Sequence, residues 1–317
     1  MFTKTFKELS KKDAAIAGGK GASLGEMTGV RIPVPPGFVV LAPAFEKFLK
    51  DTDINVEIDA MWDRLDIRST DEIEANSEMI QKIIVGKKFP EDLGKEVLKS
   101  FGKLGAKYVA VRSSATAEDS SADAWAGQLE SYLYVAKKNL LESVQKCWAS
   151  LFTPRAIFYR VERNLQKKDV SVAVVVQKMV NSEVSGVCFT VHPVTRNSDQ
   201  MIIEAGWGLG EAIVQGIITP DSYVVEKSKI PSSAGFLVDV NVSNQEKMIV
   251  RDKNGTAEKP VSAAKEEKQK LSERQILELA KICLKIEKHY GFPCDIEWAL
   301  EKGKFYITQS RPITTLK

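Results

Sequence analysis

The chain has 317 residues, about twice the ~150 residues of a typical domain, so the length predicts two lobes. Hydrophobic residues make up 44% and charged residues 27%, which excludes a collagen-like, a largely disordered or a small disulfide-stabilised chain. The 45 basic and 42 acidic residues leave a net charge of +3, and this balance predicts no nucleic-acid partner.

Neither the apolar stretches nor the cysteines of the sequence indicate export or a membrane. No stretch approaches the ~18 consecutive apolar residues of a membrane span, and the first residues lack the apolar region of a signal peptide. The 4 cysteines form no C-x-x-C pair. We therefore expect a cytoplasmic protein with reduced thiols and no membrane partner.

Helical and strand-like patterns alternate along the chain. A glycine-rich stretch (18–25) precedes a cluster of prolines, so we expect a glycine-rich turn, a short helix and an extended segment. Residues 43–103 have a polar helical pattern, and residues 139–165 predict a helical region interrupted near Pro154. Residues with high β-propensity predict strands at 108–111, 131–135, 171–176, 185–191, 201–204, 222–225, 236–242 and 248–250.

A Lys/Glu-rich run (258–273) leads to the last predicted helix. Its composition predicts a solvated connector or the beginning of that helix. Ser272 and Gln275 have the spacing of a capping box, and apolar residues then recur at helical spacing up to Gly291. We expect an amphipathic helix that packs against the core.

Three segments suggest contact with a polyphosphate. Glycines around Lys20 allow backbone amides to approach an anion, and the lysine supplies a positive charge. Arg112 follows the strand at 108–111, so we place it at a strand end, where its planar guanidinium suits phosphate. A loop of small residues around Gly127 could cover the phosphates. Each segment also has an ordinary structural interpretation: a surface lysine, an Arg112 ion pair with Glu118 or Asp119, and a turn.

Two strand-like segments near the C-terminus predict a β-hairpin with a loop around Gly303. If Gly303 lies at the centre, Glu297 pairs with Gln309, Asp295 pairs with Arg311, and all four share one face. Carboxylate and amide oxygens suit Mg²⁺, and a guanidinium suits a phosphoryl group in transfer. The alternative is an Asp295–Arg311 ion pair on a solvent face, and a slip of one residue would separate the four side chains.

Six blocks occur in a fixed order along the chain: GGKGASLG (18–25), PVPPGFV (33–39), VRSSATAEDS (111–120), AGQLESYLYV (126–135), AVVVQKMVNSEVSGVCFTVHP (173–193) and IEAGWGLGEAIVQGIITPD (203–221), followed by the hairpin at 295–312. Together they resemble the N-terminal ATP-binding domain of the dikinase family that includes phosphoenolpyruvate synthase, pyruvate phosphate dikinase and rifampin phosphotransferase. The phosphoenolpyruvate synthase type is the nearest match. The resemblance implies an α+β fold of the ATP-grasp type, in which two lobes with mainly antiparallel sheets clamp ATP. We assign residues 1–195 to the N-terminal lobe and residues 196–317 to the C-terminal lobe.

The resemblance implies roles for single residues at the phosphates. Lys20 and Arg112 would contact the phosphates from the first lobe. The loop around Gly127 and Gln128 would close over them. Arg311 would stabilise the charge of the transferred phosphoryl group, and with Lys20 and Arg112 it completes the expected catalytic set.

The resemblance also implies an adenine site around the strand that ends near residue 177. Gln177, Lys178, Met179 and Val180 would form a hinge in which backbone groups of Lys178 and Val180 read the edge of the ring. Glu183 would lie near the ribose. The alternative for Gln177 and Met179 is that they only fill the end of a buried strand.

ATP and Mg²⁺ are the implied cofactors, with Glu297 and Gln309 as metal ligands. In the family, ATP phosphorylates a histidine on a separate swivelling domain. The only histidines here, His192 and His289, lack the sequence context of that phosphocarrier. We therefore expect a kinase-type phosphotransferase that requires such a domain in the same longer protein or in trans. The alternatives are a nucleotide-sensing module without transfer, and the ATP-binding part of an enzyme that acts on rifampin or a glucan.

Overall fold

The computed structural model describes residues 1–116, 130–162, 171–253 and 255–313. The chain divides into two compact units, each made from two segments. Unit 1 comprises Met1–Glu26 and Pro36–Met179, and unit 2 comprises Met27–Pro35 and Val180–Lys317. The predicted lobe boundary after residue 195 stays a prediction, since compact units and functional lobes are different divisions of a chain.

Unit 1 is built on one antiparallel sheet. Its strands are β1 (Thr3–Thr5), β2 (Gly37–Val40), β3 (Val109–Ala115), β4 (Ser131–Val135) and β5 (Val172–Lys178). Their order in the sheet is β1-β2-β5-β3-β4, with antiparallel pairing between all neighbours. The helices that begin in this unit are α1 (Ala14–Gly29), α2 (Ala42–Asp51), α3 (Ile54–Arg64), α4 (Thr70–Gly86), α5 (Glu91–Leu104), α6 (Leu140–Ala149) and α7 (Pro154–Glu162).

A large hydrophobic cluster of unit 1 lies on one face of this sheet. Side chains alternate between the two faces of a strand, so Val111 and Val174 point to the same side and are fully buried there. Trp148 of α6 fills the space above them, and its ring centroid lies 4.9 Å from that of Phe48 and 5.4 Å from that of Phe89. Large aromatic side chains from two helices and from the loop before α5 therefore pack together in this cluster.

Unit 2 contains a six-stranded and a two-stranded antiparallel sheet. Its strands are β6 (Val184–Phe189), β7 (Gln200–Trp207), β8 (Asp221–Glu226), β9 (Leu237–Asn241), β10 (Lys247–Asp252), β11 (Gly255–Pro260), β12 (Cys294–Glu301) and β13 (Lys304–Pro312), and its helices are α8 (Glu211–Val214), α9 (Ala263–Glu266) and α10 (Glu273–Tyr290). The larger sheet has the order β13-β12-β6-β7-β8-β9, and β10 pairs with β11. Segment 27–35 attaches to this unit, because Ile307 of β13 donates its N–H to the Pro33 carbonyl at 2.9 Å.

The last helix, α10, agrees with the sequence prediction at both ends. The Ser272 hydroxyl accepts from the Gln275 N–H, and the Gln275 side chain accepts from the Ser272 N–H at 2.9 Å, which completes the capping box. Gly291 ends the helix with a φ of 75°. The apolar stripe is buried, with Cys283 fully covered. In the described ranges, no helix is long and apolar enough to span a bilayer.

The expectation of a solvated connector at residues 258–273 is wrong at Lys270. Its side chain is fully buried, and its Nζ lies 2.8 Å from Asp221 Oδ1 and 2.6 Å from the Ser243 carbonyl. The Tyr223 hydroxyl donates to the other Asp221 oxygen at 2.7 Å. Burial of this ion pair is tolerable because its hydrogen-bonding groups have partners. The partners lie far away in sequence, so composition alone could not indicate them.

Candidate nucleotide site

The glycine-rich segment lies against β3. Helix α1 is interrupted at Gly18, whose φ of 67° and ψ of 168° are not helical. A Cβ atom at Gly18 would overlap the Ser114 hydroxyl and carbonyl, so only glycine permits this approach. The Ser114 hydroxyl donates to the Ala17 carbonyl at 3.0 Å and accepts from the Gly21 N–H at 3.3 Å. The expected glycine-rich turn is therefore a break within a helix.

Lys20 is held at the same strand. Its Nζ donates to the Ser113 carbonyl at 3.1 Å. Arg112 precedes Ser113 and shares a strand face with Ser114, the face on which the glycine-rich segment packs. The structure therefore brings Lys20 and Arg112 to the same side of unit 1.

The prediction that Arg112 lies at a strand end is wrong. Arg112 is in the middle of β3, where it pairs with Ser131 of β4 and Val175 of β5. The strand continues to Ala115 because the small polar residues after Arg112 also pair with β5. The alternative partners Glu118 and Asp119 lie outside the described residues, as do Gly127 and Gln128 of the expected phosphate loop.

The predicted adenine hinge lies where β5 ends. Gln177 is only 2% exposed, and its side-chain Nε2 has no hydrogen-bond partner in the part of the chain that the structure describes. Lys178 donates its N–H to the Pro36 carbonyl at 2.8 Å, and Met179 donates to the Tyr108 carbonyl at 3.1 Å.

The next two predicted residues belong to unit 2. Val180 is buried at 7% exposure and begins the main segment of this unit. Glu183 is exposed, and its Oε1 accepts from the Lys302 N–H at the tip of the β12–β13 hairpin at 3.2 Å. Its backbone N–H donates to the Leu300 carbonyl at 2.9 Å. This pair of contacts fixes Glu183 at the end of the hairpin.

The C-terminal hairpin has the predicted register. Glu297 lies opposite Gln309, and Asp295 lies opposite Arg311. The turn itself is tighter than expected, because Glu301 pairs directly with Lys304. An irregularity between Glu297 and Trp298 then shifts the register by one residue and restores the predicted pairs.

Asp295 and Arg311 form an ion pair. Arg311 Nε and Nη2 lie 2.8 and 2.7 Å from Asp295 Oδ2. The alternative interpretation of these two residues is therefore confirmed as regards the contact, but the pair is not on a fully solvated face. Asp295 is buried and Arg311 is half-exposed. Burial raises the pKa of Asp295, whereas Arg311 opposes this shift and the nearby Glu297 adds to it.

Glu204 of β7 joins this face, and the sequence analysis missed it. Val187 of β6 pairs with both Glu204 and Glu297, so the two carboxylates share a sheet face on either side of it. Burial raises the pKa of Glu204, and the charge of Asp295 contributes. The signal that could have revealed it is an acid that directly follows the apolar residues Met201–Ile203 in a predicted strand.

The oxygen atoms of Glu297 and Gln309 on this face fit a magnesium ion whose other ligands are water and phosphate oxygens. Glu297 and Gln309 offer a carboxylate and an amide oxygen from paired positions, with Gln309 only 7% exposed. Within the described ranges, no group of three or more His, Cys, Asp or Glu side chains is placed to hold a metal. Mg²⁺ commonly binds one or two protein ligands together with water and phosphate oxygens, so two are sufficient.

Neither histidine lies among these residues. His192 is in a loop after β6, where its Nδ1 accepts from the N–H groups of Val194 and Thr195, both at 3.3 Å. His289 is in the last turn of α10, and its ring centroid lies 5.3 Å from that of Tyr290.

These features define a class. The chain has two α+β units, each with an antiparallel sheet. One unit carries Lys20 and Arg112 on the same side, and the other carries a hairpin with a carboxylate, an amide and an arginine. This is the architecture of an ATP-grasp-type nucleotide-binding domain. The fold class that the sequence predicts is confirmed. The chain belongs to the family of pyruvate phosphate dikinase AMP/ATP-binding domains, which matches residues 14–317.

Curated relatives agree with this family. The chain is 48% identical over 98% of its length to a probable phosphoenolpyruvate synthase of Methanocaldococcus jannaschii, of which it covers 26%. It is 45% identical over 98% of its length to a probable phosphoenolpyruvate synthase of Methanothermobacter thermautotrophicus, and it covers 46% of that protein. It is 39% identical over 99% of its length to a rifampicin phosphotransferase of Bacillus cereus, of which it covers 36%. The chain thus spans less than half the length of these relatives.

Proposed function

We propose that this chain binds ATP with Mg²⁺ and passes a phosphoryl group to a histidine of a separate swivelling domain, as the phosphoenolpyruvate synthase type does. The observation that supports this most is the register of the C-terminal hairpin. Glu297 faces Gln309 and Asp295 faces Arg311, so metal-binding oxygens and a cation for phosphate share one face.

Lys20 and Arg112 are proposed to contact the phosphates. Their position on one side of β3 supports this, because two cations can then neutralise one polyphosphate. Arg311 is proposed to stabilise the charge of the transferred group. The loop with Gly127 and Gln128 is proposed to cover the phosphates and exclude water.

Glu297 and Gln309 are proposed to hold Mg²⁺. When bound, the ion neutralises charge on the phosphate oxygens and orients them. The two side chains occupy directly paired positions on β12 and β13, so the hairpin fixes their spacing without help from a loop. Asp295 is proposed to orient Arg311 through the ion pair already described.

Gln177, Lys178, Met179 and Val180 are proposed to bind adenine, and Glu183 to lie near the ribose. The Gln177 amide has no acceptor within the described ranges, which supports this, because a buried N–H without an acceptor costs about 1–3 kcal/mol. A ligand that accepts from this amide would recover that cost.

The acceptor is proposed to be a phosphohistidine domain in the same longer protein or in trans. The histidine nitrogen would form the new N–P bond as a P–O bond of ATP breaks, and water would cleave the second phosphoanhydride bond, with AMP and phosphate as the eventual products. The shares of 26% and 46% that the chain covers in its relatives leave room for such a domain in those proteins. Four buried free thiols support a cytoplasmic location.

Labelled ATP tests the proposal. The purified chain is mixed with a phosphohistidine domain taken from a phosphoenolpyruvate synthase relative, and with ATP labelled on its phosphates and Mg²⁺. We expect acid-labile label on that domain and none when the domain's histidine is replaced. Calorimetric ATP binding without label would indicate a nucleotide-sensing module instead. Absence of both binding and label would overturn the proposal.

A further inference from the structure

The carbonyl of Lys178 faces a proline. Lys178 donates its N–H to Pro36, whereas Met179 donates to Tyr108 on the opposite side of β5. Backbone groups of successive strand residues point to opposite neighbours, so the Lys178 carbonyl points toward Pro36, like its N–H. Residues paired in this way normally exchange two hydrogen bonds, but proline has no N–H to give the second. Residue 36 therefore supplies no donor to the Lys178 carbonyl.

Gln177, the residue before Lys178, carries a side-chain N–H donor that lacks an acceptor in the described part of the chain. Gln177 is 2% exposed, and its Nε2 lacks a partner among the described residues. On the sheet Gln177 lies between Gly37 and Ala110, and the Phe6 ring occupies the position that a side chain at Gly37 would take, so the amide lies beside an apolar ring that cannot accept its N–H as a carbonyl would. An acceptor and a donor are thus available on consecutive residues at the end of β5.

We propose that Pro36 sets the base specificity of the nucleotide site. Because it cannot donate to the Lys178 carbonyl, it keeps this oxygen available for the 6-amino group of adenine, while the Gln177 amide donates to a ring nitrogen. This inference rests on the proposed binding of ATP. Pro36 itself is a positioning residue, since it acts through the carbonyl of Lys178.

The two purines differ in the group that they would present here. Adenine has an amino donor at position 6, and guanine has a carbonyl oxygen at the same position. With guanine, two acceptors would face each other without a proton between them. Unpaired buried polar groups give strong discrimination, so we expect ATP to be preferred to GTP.

A substitution that restores the N–H tests the role of Pro36. In Pro36→Ala, the new amide can donate to the Lys178 carbonyl and compete with adenine. The probe is ATP compared with purine riboside triphosphate, which lacks only the 6-amino group, each titrated by calorimetry with Mg²⁺. A net hydrogen bond corresponds to about a 2- to 13-fold difference in Kd. We expect wild type to prefer ATP by about this factor and Pro36→Ala to lose most of the preference, with the Kd of purine riboside triphosphate changed less than about twofold.

The neighbouring substitution Pro35→Ala is the control for loss of a rigid residue, and it should leave the preference intact. Equal weakening of both nucleotides in Pro36→Ala, or no weakening of ATP, would overturn the role of Pro36. If that variant does not fold, Pro36→Gly restores the same N–H and serves in its place. A wild type that binds both nucleotides equally overturns this inference alone. A wild type that binds neither overturns the proposed function as well.

Discussion

Arg311 makes an ion pair with Asp295 and is proposed to contact the transferred phosphoryl group as well. It already neutralises the buried Asp295 carboxylate through Nε and Nη2. A guanidinium held in this way loses little entropy when it meets a phosphoryl group, because its orientation is already fixed. Its proposed catalytic role therefore depends on Asp295 as much as on its own charge.

We expect Arg311→Ala to abolish phosphoryl transfer while adenine recognition is largely retained. Loss of an arginine that stabilises charge in phosphoryl transfer costs about 10³- to 10⁵-fold in rate. The measurement is the rate of label transfer to the phosphohistidine domain, with the Kd of ATP from calorimetry. Lys304→Ala, which removes an exposed cation from the same strand, is the control. Full activity in Arg311→Ala would remove this residue from the mechanism.

Glu297→Gln should weaken the dependence on magnesium. The substitution keeps the shape and removes one charged oxygen ligand, so we expect the Mg²⁺ concentration that half-saturates ATP binding to rise about tenfold or more. Titration of Mg²⁺ at fixed ATP measures it. Glu301→Gln, four residues further along β12, is the matched control. An identical magnesium response in Glu297→Gln would favour a purely structural role for the Asp295–Arg311 face.

Glu204→Gln should stabilise the fold at neutral pH. Burial, aided by Asp295, raises the pKa of Glu204, so the folded chain binds this proton more tightly than the unfolded chain does. The resulting contribution to stability is complete below the unfolded pKa and is lost as the pH rises through the folded pKa.

Thermal unfolding between pH 4 and 8 measures whether the contribution of Glu204 to stability falls as the pH rises. Glu204→Gln should raise the Tm at pH 7 by about 2–4 °C for each 1 kcal/mol gained, and should flatten the decline of Tm with pH. The control Glu246→Gln removes an exposed carboxylate of the same unit. A lower Tm at pH 7 in Glu204→Gln would mean that the carboxylate is stabilised rather than penalised by its surroundings.

At the scale of elements, the C-terminal hairpin shows what a sequence pattern can determine. The alternation of residues 295–311 and the loop around Gly303 were enough to predict the cross-strand pairs Glu297–Gln309 and Asp295–Arg311. The turn differs from the expected one centred on Gly303, because it has two central residues, Lys302 and Gly303, both with positive φ. An irregularity next to Glu297 then shifts the register by one residue and produces the predicted pairs. Such irregularities depend on packing between strands, which the local sequence does not show.

Arg112 and Lys270 show where sequence reasoning failed. A run of small polar residues after Arg112 resembled a strand end, yet its backbone groups pair with β5, a strand about sixty residues away. Lys270 was assigned to solvent by composition, yet it is neutralised by Asp221. In both cases a distant partner overrides the local preference.

Gly18 interrupts α1 at the point where this helix lies against Ser114 of β3. Gly18→Ala would place a Cβ on the Ser114 hydroxyl and carbonyl at a φ of 67°, so we expect a loss of about 2–4 kcal/mol in the free energy of unfolding. Urea unfolding measures it. Gly29→Ala, at the end of the same helix, meets no atom within 4 Å and should be nearly neutral. Equal stability of the two variants would contradict the close approach of α1 to β3.

At the scale of the whole molecule, unit 2 is discontinuous in sequence. Segment 27–35 carries the buried Met27 and Ile32, and its Pro33 carbonyl accepts from β13. The main part of the unit begins only at Val180. Unit 2 should therefore depend on residues that a simple cut of the chain would leave behind.

A fragment of residues 180–317 should accordingly be less stable than the same fragment joined to residues 27–35 by a flexible linker. Loss of two buried apolar side chains and a strand hydrogen bond costs about 3–6 kcal/mol, which lowers the Tm of a unit of this size by about 10 °C or more. Thermal unfolding and light scattering of the two fragments measure the difference. Equal Tm values would show that segment 27–35 contributes nothing to unit 2.

The early position of segment 27–35 has a consequence for biosynthesis. When the ribosome has made these residues, roughly 270 more must be added before Ile307 exists to bind Pro33. At about 5–20 residues per second, this takes roughly 15–50 s. Throughout that interval Met27 and Ile32, which are buried in the folded chain, lack the later part of the unit to which they belong. Chaperones that hold apolar stretches should therefore engage this region during translation.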